Sequence, residues 1–285
     1  MGLRSAVGSA ASWCSAAGGG AVHYLFRTKN SVLQGVYLAI ISGAYAAIVA
    51  NIYPRLPLEP FLPAYHRWVG VGMMCLALGS WAAVTLTSPG VIDAATLPSY
   101  LANGSYYRCD GVLYEANRTC KTTGLPKLAR SKYCVVSGCN IARFDHYCPW
   151  VRTAVGERNY RVFVVFLAIH VAVLSYAAAC MASGLASVTV ELGLWQSTFI
   201  TDDGSEVPAS WTVVAVFLAS HEAPMVAVLI LTGTLAPVLL CFLALHCYLI
   251  ARGTTTNGAR PRARVECSPC FVLSFYSSFP CVLVW

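Results

Sequence analysis

Charged residues are scarce in this chain of 285 residues. Asp, Glu, Lys and Arg make up only 11% of it, whereas 57% is hydrophobic and the mean hydropathy is +0.62. Soluble domains carry about 25% charged residues, so this composition excludes an ordinary soluble protein. The chain is therefore predicted to be an integral membrane protein.

Long apolar runs are present instead, separated by Pro, Gly and polar segments. A helix needs roughly 20 apolar residues to cross the hydrocarbon core. The shorter run from Trp211 to Ala219 cannot span and is predicted to lie at the interface or pack on the bundle. Pro237 should kink the last long run, because it removes a backbone donor. Four runs are long enough: about 32–53, 68–86, 162–184 and 226–250.

Lys and Arg are absent between the third and fourth predicted spans, where five acidic residues occur instead. Residues 87–161 hold ten of the 19 basic residues, and more lie near both termini. Because Lys and Arg stay preferentially on the cytoplasmic side, both termini and residues 87–161 are predicted to be cytosolic. The net charge of +7 is then mostly a consequence of this topology, with anionic lipid headgroups as secondary partners. Nucleic acid is not an expected partner.

The predicted fold is an all-α membrane protein with four transmembrane helices and a small cytosolic cysteine-rich segment between helices 2 and 3. The first 30 residues lack the compact apolar core of a signal peptide, so they are predicted to form a cytosolic lead. The predicted parts are the lead at 1–31, helices 1 and 2 at 32–86, the cysteine-rich domain at 87–161, helices 3 and 4 at 162–250 and a cytosolic tail at 251–285.

The 13 cysteines do not predict a disulfide framework, because their number is odd and four lie inside predicted spans. Those four are interpreted as packing residues. Five others lie in the predicted cytosolic segment, where thiols stay reduced and metal or catalytic roles outrank disulfides. They are Cys109, Cys120, Cys134, Cys139 and Cys148.

The segment RFDHYCPW places an acid, an imidazole and a thiol within four positions. Pro149 biases Cys148 toward an extended backbone, and in an extended chain residues two apart project to one face. His146 and Cys148 can therefore approach each other, and Asp145 can reach the far nitrogen of His146 if the chain turns. This is the nucleophile, base and orienter pattern of cysteine enzymes. By spacing alone, Cys148 could equally be a packing residue or a metal ligand.

The run CKTTGLPKLARSKYCVVSGCNIARFDHYCPWVRTAVGERNYRVF, from Cys120 to Phe163, resembles the cysteine-rich domain of the DHHC protein S-acyltransferases. Two flanking motifs agree. TSPG at 87–90 resembles the family's Asp-Pro-Gly, and TTNG at 255–258 resembles its Thr-Thr-x-Glu, with Gly258 in place of Glu. The matching positions in the run are Cys120, Lys127, Ala129, Arg130, Ser131, Lys132, Cys134, Ala142, Arg143, Phe144, Asp145, His146, Cys148, Trp150, Gly156, Asn159 and Phe163.

The departures from the family pattern fall mostly on its zinc ligands. The resemblance implies two zinc ions, each held by three Cys and one His, but only Cys120 and Cys134 remain, with Cys139 next to an expected position. Bound zinc is therefore doubtful, and aromatic packing is expected to take over its organising role. The eight positions read Cys120, Thr123, Tyr133, Cys134, Ser137, Asn140, Tyr147 and Ala154.

The resemblance implies that Cys148 takes a long-chain acyl group from acyl-CoA and passes it to a thiol of a membrane-associated protein, with His146 relaying protons. Phosphates of coenzyme A could bind basic residues that could equally be topology signals: Arg130, Lys132, Arg143 and Arg152. Golgi or endoplasmic reticulum is the family-level location. Two alternatives stay open, an inactive membrane scaffold and a thiol-dependent membrane deacylase. His170 and His246 are interpreted as neutral helix residues.

Overall fold

The computed structural model describes residues 20–58, 62–102, 109, 114, 117–201 and 203–258. The lead predicted at 1–31 is thus described only from residue 20, and the tail predicted at 251–285 only as far as residue 258. Within these ranges the chain forms two compact units. One contains residues 38–81 and 164–245, and the other contains the described residues of 1–37, 82–163 and 246–285.

Helices dominate the described chain. Four of them are long and apolar enough to cross a membrane, which confirms a multi-pass membrane protein with four spans. In chain order the helices are α1 Val32–Asn51, α2 His66–Leu86, α3 Leu97–Ala102, α4 Tyr160–Glu191, α5 Trp211–His221 and α6 Ala223–Ala251. The four long ones are α1, α2, α4 and α6.

The third span is longer than predicted, since α4 continues from Gly184 to Glu191. Gly184 lies inside this helix, at a point where neighbouring side chains pack closely against its backbone. A Cβ there would collide with Ile52 and lie 3.1 Å from the sulfur of Met225. Pro237 lies inside α6, which continues on both sides of it.

The unit of residues 38–81 and 164–245 is built around an apolar core. Ile52, Met181 and Met225 are almost fully buried in this core. Arg55 and Glu222 form an ion pair with 2.8 Å between Nη2 and Oε1. A hairpin of two strands, Thr198–Ile200 and Glu206–Pro208, precedes α5 in the same unit.

The cysteine-rich segment lies in the other unit and contains short strands that hydropathy did not predict. They are β1 Val91–Ile92, β2 Lys132–Cys134, β3 Cys139–Ile141, β4 His146–Cys148 and β5 Thr153–Val155. The order β1-β3-β2 makes one antiparallel sheet, and β4-β5 makes a separate hairpin. The turn between β2 and β3 contains Gly138, and the turn between β4 and β5 contains Arg152. Both residues have the positive φ of the left-handed region.

Gly156, after β5, is needed for close backbone packing. A Cβ at this position would lie 2.6 Å from the carbonyl oxygen of Pro89 and 2.9 Å from that of Ala142. The fully buried Asn159 accepts a hydrogen bond from the amide of Gly156 and donates one to the carbonyl of Ala154, both 2.9 Å long. These contacts fix the end of β5 and hold the β4–β5 hairpin in place.

Candidate active site

Strand β4 carries two of the three residues of the predicted trio. His146 and Cys148 are separated by one residue in an extended strand, so their side chains project from the same face, and they are hydrogen-bonded to each other. Nδ1 of His146 lies 2.6 Å from Oδ2 of Asp145. The structure therefore brings Asp145, His146 and Cys148 together as one hydrogen-bonded trio.

The Asp145 carboxylate is buried and held by donors from a distant part of the chain. The amide of Thr256 donates to Oδ1 at 2.8 Å, and the hydroxyl of Thr256 lies 2.7 Å from Oδ2. Burial opposes ionisation, but the hydrogen bonds with His146 and Thr256 outweigh it and lower the pKa of Asp145. Asp145 is thus an anion that orients the His146 ring.

Thr256 begins a helical turn, residues 256–258, whose N-cap is Thr255. The hydroxyl of Thr255 accepts a hydrogen bond from the amide of Gly258 at 3.1 Å and donates one to the carbonyl of Phe144 at 3.2 Å. A Thr-x-x-Glu sequence would form a full capping box, in which the Glu side chain reaches back to the cap. With Gly258 in the Glu position, only the threonine half of this box is present.

His146 has a strongly perturbed acidity. Burial favours the neutral ring, but the hydrogen bonds to Asp145 and Cys148 outweigh it and raise the pKa of His146 to about 10. The ring also contacts Phe163, with 5.2 Å between centroids. At neutral pH the imidazolium is therefore the favoured form of His146.

His246, which the sequence singled out only as a neutral helix residue, lies near the trio. It lies in α6, is fully buried, and its ring centroid is 6.0 Å from that of His146. Its Nδ1 is 2.9 Å from the hydroxyl of Tyr160. The only sequence signal was a polar residue within an apolar span, which does not reveal its neighbours.

Six of the eight positions that match zinc ligands of the family fall into two separate groups. In the first, Asn140 pairs with Tyr133 across β2–β3, and its amide donates to the Thr123 hydroxyl at 2.7 Å. Hydrogen bonds, above all from the Thr123 hydroxyl, lower the pKa of the Cys120 thiol to about 7. This group, called here the polar cluster, consists of Cys120, Thr123 and Asn140.

In the second group Tyr147 pairs with Ala154 across β4–β5, and both side chains are buried against Cys134. The hydroxyl of Tyr147 is buried and has no hydrogen-bond partner among the described residues. The group is here called the apolar cluster: Cys134, Ile141, Phe144, Tyr147 and Ala154.

Neither group supplies the four thiolate or imidazole ligands that a structural zinc ion needs. Cys139 pairs with Cys134 across β2–β3 and packs against the apolar cluster, so it does not lie with Cys120. Burial raises the pKa of the Cys139 thiol, which disfavours the thiolate that a metal requires. Among the described residues, these three cysteines form no common metal-ligand cluster. The donor set does not fit zinc.

The four basic residues predicted to meet coenzyme A are not gathered at one point. Arg130 donates to the carbonyl of Gly253 at 3.1 Å, and Lys132 donates to the side chain of Asn257 at 3.0 Å. Arg152 bonds to the hydroxyl of Ser31. Arg143 is half-buried, with φ of 45°, and makes no hydrogen bond or ion pair with the described residues.

Comparison with known proteins identifies the family of this fold and site. The family model described as DHHC palmitoyltransferase matches residues 113–260, slightly more than half of the chain. This chain belongs to the DHHC palmitoyltransferase family. The matched region of this family member contains the trio, the polar and apolar clusters, and Thr255 and Thr256.

Several curated relatives agree with this assignment. Palmitoyltransferase ZDHHC4 of Bos taurus is 28% identical over 252 residues, which cover 87% of this chain and 71% of the relative. Palmitoyltransferase SWF1 of Yarrowia lipolytica is 28% identical over 204 residues, covering 70% of this chain and 51% of the relative. Palmitoyltransferase ZDHHC12 of Homo sapiens is 29% identical over 197 residues, covering 64% and 60%.

Proposed function

We propose that this DHHC family member is a protein S-acyltransferase that moves a long-chain fatty acyl group from acyl-CoA to cysteine thiols of membrane-associated proteins. Cys148 is the nucleophile, His146 its proton partner and Asp145 the residue that orients the ring. The observation that supports this proposal best is the continuous hydrogen-bonded series Thr256, Asp145, His146 and Cys148.

The first half-reaction forms an acyl-enzyme. The raised pKa of His146 keeps the ring protonated, so Cys148 reacts as the thiolate of an ion pair. Its sulfur bonds to the carbonyl carbon of the acyl-CoA thioester, and the bond between that carbon and the coenzyme A sulfur breaks. His146 gives its proton to the departing coenzyme A thiolate.

The second half-reaction regenerates the enzyme. An acceptor thiol gives its proton to the neutral His146, and its sulfur attacks the acyl carbon. The bond to Cys148 breaks, and Cys148 leaves as the thiolate, which restores its ion pair with the imidazolium. Asp145 keeps Nδ1 of His146 engaged throughout, so the other ring nitrogen stays available to the reacting sulfurs.

The substrates must meet at a membrane surface. The trio lies about twelve residues before α4, so an acyl chain in the bilayer and its thioester in water can reach Cys148 together. The distribution of Lys and Arg supports a position of this surface on the cytosolic side, and an endomembrane such as the Golgi or endoplasmic reticulum is the family-level location. Arg143, which has no bond to the described residues, is the leading candidate for a coenzyme A phosphate.

Acyl labelling of the purified protein tests this proposal. The protein in lipid vesicles is incubated with labelled palmitoyl-CoA, and we expect a label that hydroxylamine removes. Cys148→Ser should lose the label, whereas Cys75→Ser, which changes an exposed thiol in α2, should keep it. Folded protein that takes no label would instead support a scaffold. Free fatty acid released much faster than protein is labelled would support a deacylase.

A further inference from the structure

A second imidazole contacts the trio from α6. A nitrogen of His246 lies within 4.8 Å of both a carboxylate oxygen of Asp145 and a ring nitrogen of His146. His246 also contacts Phe163, at 5.4 Å between centroids, and Phe163 contacts His146. The three rings of His146, Phe163 and His246 therefore contact one another, and the last two are at least 99% buried.

The hydroxyl of Tyr160 fixes the His246 ring. It lies 2.9 Å from Nδ1, and the two rings are 5.6 Å apart. Turning the imidazole would break this hydrogen bond, so the ring edge that approaches Asp145 and His146 is set by Tyr160. A phenylalanine at position 246 would preserve the ring contacts and remove both nitrogens.

His146 needs such support, because it lies on a strand of three residues and must hold Asp145 with one nitrogen and Cys148 with the other. A small rotation of the ring would lengthen one of these hydrogen bonds, and a misplacement of about 1 Å can cost about 100-fold in rate. Packing by Phe163 restricts the ring sterically. A nitrogen of His246, within 4.8 Å of the Asp145 carboxylate and a His146 ring nitrogen, adds an electrostatic interaction to this packing.

We propose that His246, held by Tyr160, is a positioning residue for S-acylation that keeps the His146 ring aligned between Asp145 and Cys148. This inference rests on the proposed function, and it gives His246 a role that a neutral helix histidine would not have. In this proposal Tyr160 acts through His246, so the two residues form one unit.

The test measures the single-turnover rate of Cys148 acylation by labelled palmitoyl-CoA from pH 6 to 10, together with the thermal midpoint. His246→Phe keeps an aromatic ring, His246→Asn keeps an amide near Nδ1, and Tyr160→Phe removes one hydroxyl. His170→Phe is the matched control, since it changes another buried histidine of a long helix.

We expect His246→Phe to slow acylation about 10-fold, and Tyr160→Phe about 3-fold, within the range that positioning effects reach. Both should shift the alkaline limb of the pH–rate profile, which His146 sets, without lowering the thermal midpoint. His246→Asn should be faster than His246→Phe, and His170→Phe should match the unaltered protein. The double variant should be no slower than His246→Phe, because coupled residues are not additive.

A wild-type rate and pH profile in His246→Phe would overturn the inference, and so would effects of the two single changes that multiply in the double variant. Equal slowing by His170→Phe would also overturn it, because the effect would then be general to buried histidines. Failure of the proposed function looks different, since the unaltered protein would then take no label on Cys148.

Discussion

The polar cluster and the apolar cluster each contain three positions that match zinc ligands of the family, but different forces stabilise them. In the polar cluster, Asn140 of β3 forms hydrogen bonds with Thr123 and Cys120, and Thr123 is exposed to solvent. Ala154 of β4–β5 is buried in the apolar cluster. Hydrogen bonds stabilise the polar cluster, which water can reach, and side-chain packing stabilises the apolar cluster, from which water is excluded.

The first prediction uses pH, because β4–β5 carries the ionised pair of Asp145 and His146. The folded pKa of His146, about 10, exceeds its unfolded value of about 6.5, so the stability from this pair is complete below pH 6.5 and is lost as pH rises to 10. The pKa of Asp145 is lowered in the folded protein, so its contribution to stability is lost in the other direction, as falling pH protonates the carboxylate. We expect a slope of up to about 1.4 kcal/mol per pH unit between pH 6.5 and 10.

Thermal unfolding from pH 5 to 10 measures this slope. His146→Gln should flatten the alkaline part of the curve, since glutamine does not titrate. Identical curves for the two proteins would show that the charged pair contributes no stability to β4–β5.

The second prediction concerns the apolar cluster. Ile141 is fully buried there, so Ile141→Ala should lower the free energy of unfolding by about 2 to 5 kcal/mol through lost burial and a residual cavity. Val135→Ala, at a position that is 81% exposed in the β2–β3 turn, is the control and should change it by less than about 0.5 kcal/mol. Comparable losses of unfolding free energy in both variants would show that burial in the apolar cluster does not stabilise the protein more than an exposed position does.

The third prediction concerns the polar cluster. Asn140→Ala removes the amide that bonds to Thr123 and Cys120, and should cost about 1 to 3 kcal/mol. The expected loss is smaller than for Ile141→Ala, because water can reach the exposed Thr123 after the change. Chemical denaturation of both variants side by side decides the order, and a larger loss in Asn140→Ala would reverse our comparison of the clusters.

The smallest effect is expected from metal removal. If hydrogen bonds and packing stabilise the two clusters, a strong zinc chelator should leave both the thermal midpoint and the rate of Cys148 labelling unchanged. Metal analysis of the purified protein should find less than one zinc ion per chain. Two zinc ions per chain, together with loss of labelling on chelation, would show that our reading of the donor set is wrong.

Sequence reasoning predicted the features that depend on local chemistry. The four spans follow from long apolar runs, and the approach of His146 to Cys148 follows from an extended backbone before Pro149. Strands of three residues were not predictable, because they are too short for an alternating pattern to identify. The underestimate of α4 came from treating Gly184 as a helix end, although it permits close packing.

The contacts that complete the site could not be predicted from neighbours in the chain. Thr256 bonds to a carboxylate 111 positions earlier, and Tyr160 meets His246 across 86 positions. The sequence shows that Thr255 and Thr256 are polar residues at the end of an apolar span, but it does not show which residues they form hydrogen bonds with. Such pairs are defined only when the helices and hairpins have packed.

The dependence of Asp145 on Thr256 has a consequence for biosynthesis. Translation makes Cys148 more than a hundred residues before the donors that hold the carboxylate, so a nascent chain has this thiol long before the hydrogen bonds to Asp145 are complete. Only after α6 has been synthesised and has folded can residues 255 and 256 reach Asp145. The hydrogen bonds that hold the Asp145 carboxylate can therefore form only late in synthesis.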